Sequence, residues 1–230
     1  MDPYPIRYAF RFEDGRTVEF TVRLDGETLL LADPWPRPEP EWAKLERDRC
    51  RGCTLPPSLG YCPTAAHLAG VVASFATTMS FTEADVTVTV PEREFRKRAA
   101  VQTSLASLLG VYMVTSGCPI MAALRPLVRF HLPFASELDT TFRAASMYLV
   151  AQFLRSRSGL SAEWDLKGLA AAYRKIGDVN QAFAGRLRHA APLDANVNAL
   201  VLLDFFAKVL PASIEEGLED LQQTFGTWLK

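Results

Sequence analysis

Residues 7–24, RYAFRFEDGRTVEFTVRL, decide the fold. In the first half Tyr8, Phe10 and Phe12 fall on one face of an extended chain, and in the second Val18, Phe20, Val22 and Leu24 do the same. That two-residue period is the mark of half-buried strands. Glu13-Asp14-Gly15-Arg16 joins them, and Asp25-Gly26 leads into ETLLLA, each with the Asp-Gly pair that tight hairpins favour. The pattern predicts an antiparallel meander over residues 1–33. Its Phe10, Phe12, Phe20 and Val22 face inward, and Arg11, Glu19 and Arg23 reach solvent. One apolar face cannot stand alone in water, so the meander must lie against something else.

The meander gives way to a segment of a different kind. DPWPRPEP, residues 33–40, contains four prolines, which donate no backbone N–H and stop both helix and ladder. Residues 34–62 are therefore a Pro-rich and Cys-rich connection, in which Trp35 and Trp42 read as packing residues. From Pro63 to residue 230 the apolar period becomes helical, with about six helices. DVTVTV, near residues 85–90, adds one further strand that can extend the sheet, and the charged EREFRKR after it reads as a connection. The expected fold class is α+β, a small N-terminal antiparallel sheet packed on a mostly helical body and forming one compact unit.

All four cysteines fit one spacing, C-x2-C-x8-C-x55-C. Cys50 and Cys53 form a loop pair able to converge on one ion. Cys62 and Cys118 each precede a proline at an expected helix start, where free N–H groups and the helix dipole lower a thiol pKa. The set predicts a four-thiolate site. The alternatives are a redox dithiol at Cys50 and Cys53, or an ordinary buried cysteine at Cys118. Zn²⁺ and a [4Fe-4S] cluster both suit four thiolates, and general abundance alone tilts the choice to zinc.

Other candidates are weaker. Arg125, Arg129 and His131 form a basic cluster that would suit an anion near Cys118. His67 reads as a helix-face residue, His189 sits in an expected last helical turn, and Asp204, inside LVLLDFFAKV, is expected to pair with an arginine or cap a neighbouring element. Lys and Arg number 25 against 26 Asp and Glu, so no global charge draws the chain to nucleic acid or to an anionic membrane. No stretch reaches the roughly 18 uncharged apolar residues of a membrane span. No export signal is read at the N-terminus, so the expected location is cytoplasmic, where clustered thiols more often hold metal than form disulfides. Phosphate-loop, dinucleotide, serine-hydrolase and zinc-protease motifs are missing. The expected function is thus a four-cysteine metal-binding protein with a structural, regulatory or partner-binding role, the alternative being an iron–sulfur protein that transfers electrons or senses oxidant.

The succession CRGC…YCPTA, VQTSLASLLG, TSGCP, RFHLPFAS, SMYLVAQF and NALVLLDFFAKVLP, behind the aromatic first strand, resembles an uncharacterised family of bacterial proteins of unknown function. The resemblance covers nearly the whole chain and implies no activity.

Overall fold

Strand β1 (Tyr4–Phe12) is central in the N-terminal sheet. Its Tyr4, Ile6, Tyr8, Phe10 and Phe12 are buried, while Arg7 and Arg11 between them face water. Each such large apolar side chain taken from water contributes about 1.5–3 kcal/mol, and this face drives docking of the sheet. The computed structural model describes residues 2–230. In it β2 (Thr17–Leu24) pairs antiparallel with β1, setting Phe20 opposite Tyr8 and Val18 opposite Phe10. Val22 and Leu24 are buried, Phe20 is partly buried, and Glu19 and Arg23 are exposed, as the two-residue period requires.

The other neighbours of β1 come from further along the chain. β3 (Glu83–Val90) pairs antiparallel with β1, with Val86 opposite Phe10, and β4 (Arg93–Ala100) pairs with β3, giving the order β2-β1-β3-β4. Two expectations change here. ETLLLA forms no strand: only Leu31 bridges to Leu24, and its N–H donates instead to the Thr115 carbonyl at 3.0 Å. The Asp25 carboxylate accepts from the N–H groups of Glu27 and Thr28, which curls the chain out of the sheet. EREFRKR, in contrast, belongs to the edge strand β4. Charge on an edge strand blocks further pairing, and it also removes the apolar alternation by which a strand is read.

Helices α1 (Pro63–Ser74) and α2 (Val101–Thr115) contribute to the same core as the sheet. Phe75, just past α1, sets its ring 5.0 Å from Phe10 and 6.0 Å from Phe20. The segment PIMAALRPLVRFH is no single helix. Pro126 divides it into a 3-10 turn (Met121–Leu124) and the one-turn α3 (Pro126–Arg129), since proline fits best in the first turn of a helix. α4 (Glu137–Arg157) starts with a reciprocal cap in which the Ser136 hydroxyl accepts from the Asp139 N–H and the Asp139 carboxylate from the Ser136 N–H. α5 (Lys167–Ala190), α6 (Ala195–Glu215) and the short α7 (Glu219–Gln222) complete the body.

α6 packs on both α5 and α2. By length and composition it is apolar enough to cross a membrane. It nevertheless carries an ion pair at its middle, Asp204 to Lys208 at 2.6 Å, and buries Ala199, Leu200, Ala207 and Leu210 in the protein. The partner of Asp204 is thus not an arginine or a neighbouring element but a lysine one turn along the same helix.

Candidate functional site

Backbone pairing brings the cysteines together. The Leu45 N–H donates to the Gly60 carbonyl, and the Cys62 N–H to the Ala43 carbonyl at 2.8 Å. Residues 46–59 are therefore a loop closed at its base, with Cys62 at one side of the closure. Within it Cys50 and Cys53 form a tight turn, the Cys53 N–H donating to the Cys50 carbonyl and Gly52 taking the left-handed conformation at φ 76°. Arg49 ties the turn down by donating to the carbonyls of Leu55, at 2.6 Å, and Cys53.

Cys62 is the N-cap residue of α1, as its place before Pro63 predicts, and its side chain makes no capping hydrogen bond. Cys118 follows the end of α2 and opens no long helix, yet the N–H groups of Ile120 and Met121 still point at its sulfur. A buried hydrogen bond between the hydroxyls of Thr64 and Ser116, 2.6 Å apart, joins the first turn of α1 to the end of α2. All four sulfurs consequently line one small cavity, closed on its other sides by Leu55, Thr64, Pro119, Ile120, Val179 and Phe183.

The electrostatics differ from those expected of thiols at helix starts. Burial first, and then the neighbouring thiols of Cys62 and Cys118, push the Cys50 thiol up to about 12, with the Arg186 guanidinium pulling the other way. Burial also raises Cys118, against the opposing effect of its two N–H donors. Desolvation and mutual repulsion outweigh the turn dipole here. Such thiols ionise together only when a cation joins them.

The spread of the set is informative. All four cysteines are free thiols, and among the described residues no three His, Cys, Asp or Glu side chains are arranged to hold a single metal ion. The cavity is small, about 20 Å³, which is room for roughly one water-sized occupant.

Arg186 is the residue that sequence reading missed. It is 1% exposed, and its guanidinium donates to the carbonyls of Trp42, Lys44 and Leu45 at 2.7–3.0 Å, fastening the loop base to α5. No carboxylate pairs with it among the described residues. The signal lay in α5, where Ile176, Val179, Phe183 and Arg186 recur at helical spacing on one apolar stripe.

The basic cluster is not brought together. Arg125 donates to the carbonyls of Val114 and Thr28, Arg129 pairs with Glu92 at 3.3 Å and lies over the Tyr4 ring, and His131 Nε2 meets the Tyr8 hydroxyl at 2.6 Å. His67 packs edge-on against Trp35, away from the sulfurs, Trp42 is buried, and His189 is exposed at the end of α5. The chain matches, over residues 6–226, the family described as Domain of unknown function (DUF6901). It belongs to that family. No curated protein and no solved structure matches it.

Proposed function

We propose that Cys50, Cys53, Cys62 and Cys118 hold one thiolate-bound metal centre, and that as a [4Fe-4S] cluster it would let the protein transfer electrons or sense oxidant in a reducing, cytoplasmic compartment. The single observation that supports this reading is that four free cysteines from three separate parts of the chain line one small cavity. A polynuclear centre held by four cysteine thiolates tolerates ligands scattered along the chain. When bound, such a cluster supplies a one-electron couple whose potential follows net charge, hydrogen bonding and burial.

The chain's own residues have definable parts. Val179 and Phe183 exclude water from one side, the Ile120 and Met121 N–H groups donate to the Cys118 sulfur, and Arg186 contributes a buried positive charge beside a net-negative thiolate set. Arg51 and Gly52, at the tip of the Cys50 turn, are exposed, so a redox partner would approach on that side. The second reading is a structural zinc pinning residues 46–59 to the helices, favoured by the tight Cys50–Cys53 turn.

Anaerobic purification followed by metal and sulfide analysis tests both. The cluster predicts iron and acid-labile sulfide in equal amount and a visible absorption that bleaches with dithionite. One zinc per chain, with neither iron nor colour, selects the structural reading. Protein that takes up neither metal on anaerobic reconstitution has no metal centre.

A further inference from the structure

A mainly apolar cavity of about 310 Å³, which the cysteine site leaves unused, is lined by α2, the 121–135 segment, α4, α5 and α6. Its wall is mainly aliphatic and aromatic, with Val111, Leu124, Ile176 and Phe206 among the lining residues. Three polar groups on that wall have unused hydrogen-bonding capacity, and of them Asn180 holds fully buried atoms without a partner. Asn180 is 2% exposed, and neither its amide nitrogen nor its carbonyl oxygen makes a hydrogen bond. Tyr173, 5% exposed, makes none through its hydroxyl among the described residues. Arg143 donates through Nη2 to the carbonyls of Leu127 and Phe130, which leaves Nε and Nη1 without partners and the guanidinium without any carboxylate at ion-pair distance.

A buried carboxamide with both ends unpaired costs free energy and calls for an explanation, and a guanidinium half-withdrawn from water without a counter-charge costs more. Trapped water would satisfy the amide. It would not neutralise the arginine. A carboxylate would neutralise the arginine and accept from the Arg143, Tyr173 and Asn180 donors, leaving the Asn180 carbonyl oxygen to a water, while its apolar body takes up the aliphatic wall. A volume at the low end of small-molecule sites, about 300–1,000 Å³, suits a single chain or ring and is too small for a nucleotide or a phospholipid.

We infer that this cavity is a binding site for a small apolar carboxylate, with Arg143 and Asn180 holding its charged end. The site goes beyond the cysteine centre and does not depend on it, although the two share a wall. Ile120 and Val179 line the cysteine cavity, and the next residues, Met121 and Asn180, line this one.

The test titrates the purified full chain with octanoate and decanoate, and with the matched alcohols octanol and decanol, by calorimetry and by thermal shift. Saturable binding of the carboxylates, at least tenfold tighter than the alcohols, is expected. Arg143→Met should bring acid and alcohol to equal affinity. Asn180→Leu removes two unpaired polar atoms at nearly constant volume, so it should melt no lower than the parent and still lose carboxylate affinity fivefold or more. Because that variant folds on either view, it keeps the test open if Arg143→Met is unstable. Absence of saturable binding by all four compounds, equal affinity for acids and alcohols, or unchanged carboxylate affinity in a folded Asn180→Leu protein would each overturn the assignment. Metal content measured on the same samples separates this result from that of the cysteine centre.

Discussion

The Thr64 hydroxyl lies 2.6 Å from that of Ser116, two residues along the chain from Cys62 and from Cys118 respectively, and both residues are buried. This contact is the register pin between α1 and the end of α2, and it places two of the four sulfurs. The partners are unequal. Ser116 also has the Met113 carbonyl at 3.3 Å, whereas Thr64 has Ser116 alone. Thr64→Val should therefore cost about 1 kcal/mol, and Ser116→Ala, which strands a buried hydroxyl, about 1–3 kcal/mol. The double variant should lose less than the sum of the two. Urea unfolding of the three proteins checks the order, and equal single effects would show that Thr64 has another partner.

Replacing Cys62 by serine separates a metal centre from four ordinary thiols. The Cys62 sulfur makes no capping bond to α1, and serine is a preferred N-cap residue, so without metal the substitution should leave stability level or slightly raised. With metal it should remove the metal and lower stability by several kcal/mol, since binding free energies of structural sites run on the order of 10 kcal/mol and couple to folding. Cys118→Ser should show the same loss. Metal analysis and melting temperature, measured on both variants, decide the matter.

His131 gives a pH dependence of known sign. Burial holds its imidazole down at about 3, against an ordinary value near 6.5. The unfolded chain then binds a proton that the folded chain refuses. Stability is complete above about pH 6.5 and falls as pH drops toward 3, by up to about 5 kcal/mol. His131→Gln, which cannot charge, should flatten that limb of the stability profile between pH 6.5 and 4. A variant with the same acid slope as the parent would place the proton uptake on another group.

The difference between the elements legible in the sequence and those hidden in it has local causes. β1 and β2 are legible because Tyr8, Phe10 and Phe12 alternate with Ala9 and Arg11, and only a strand buries that set. β4 is not, since Arg93–Ala100 has no apolar face and exists by pairing with β3. ETLLLA misleads because its apolar run suits a strand, while the partner that captures the Leu31 N–H belongs to α2 and is invisible to local pattern. The cysteines are legible as a set from residue type alone. Arg186 and Asn180 were readable in principle, as two polar residues on the buried stripe of α5, but periodicity counts the apolar members and passes over the exceptions.

Arg186 supplies the last prediction. Its guanidinium donates three hydrogen bonds to backbone carbonyls at the base of the cysteine loop, and its charge is felt at Cys50. Arg186→Met removes both effects. Hydrogen bonds from a charged donor contribute about 1.5–3 kcal/mol each, but the same substitution abolishes the cost of a buried unpaired cation, so the net loss should be nearer 3 kcal/mol than the sum. Arg186→Lys keeps the charge with fewer donors and a different shape, and should recover part of that stability. A structural role alone ends there. If the centre is a [4Fe-4S] cluster, removing a neighbouring positive charge disfavours the reduced, more negative state, so Arg186→Met should shift the midpoint potential downward while Arg186→Lys stays near the parent value. Redox titration of the two variants reads this directly, and equal potentials in both would confine Arg186 to holding the loop.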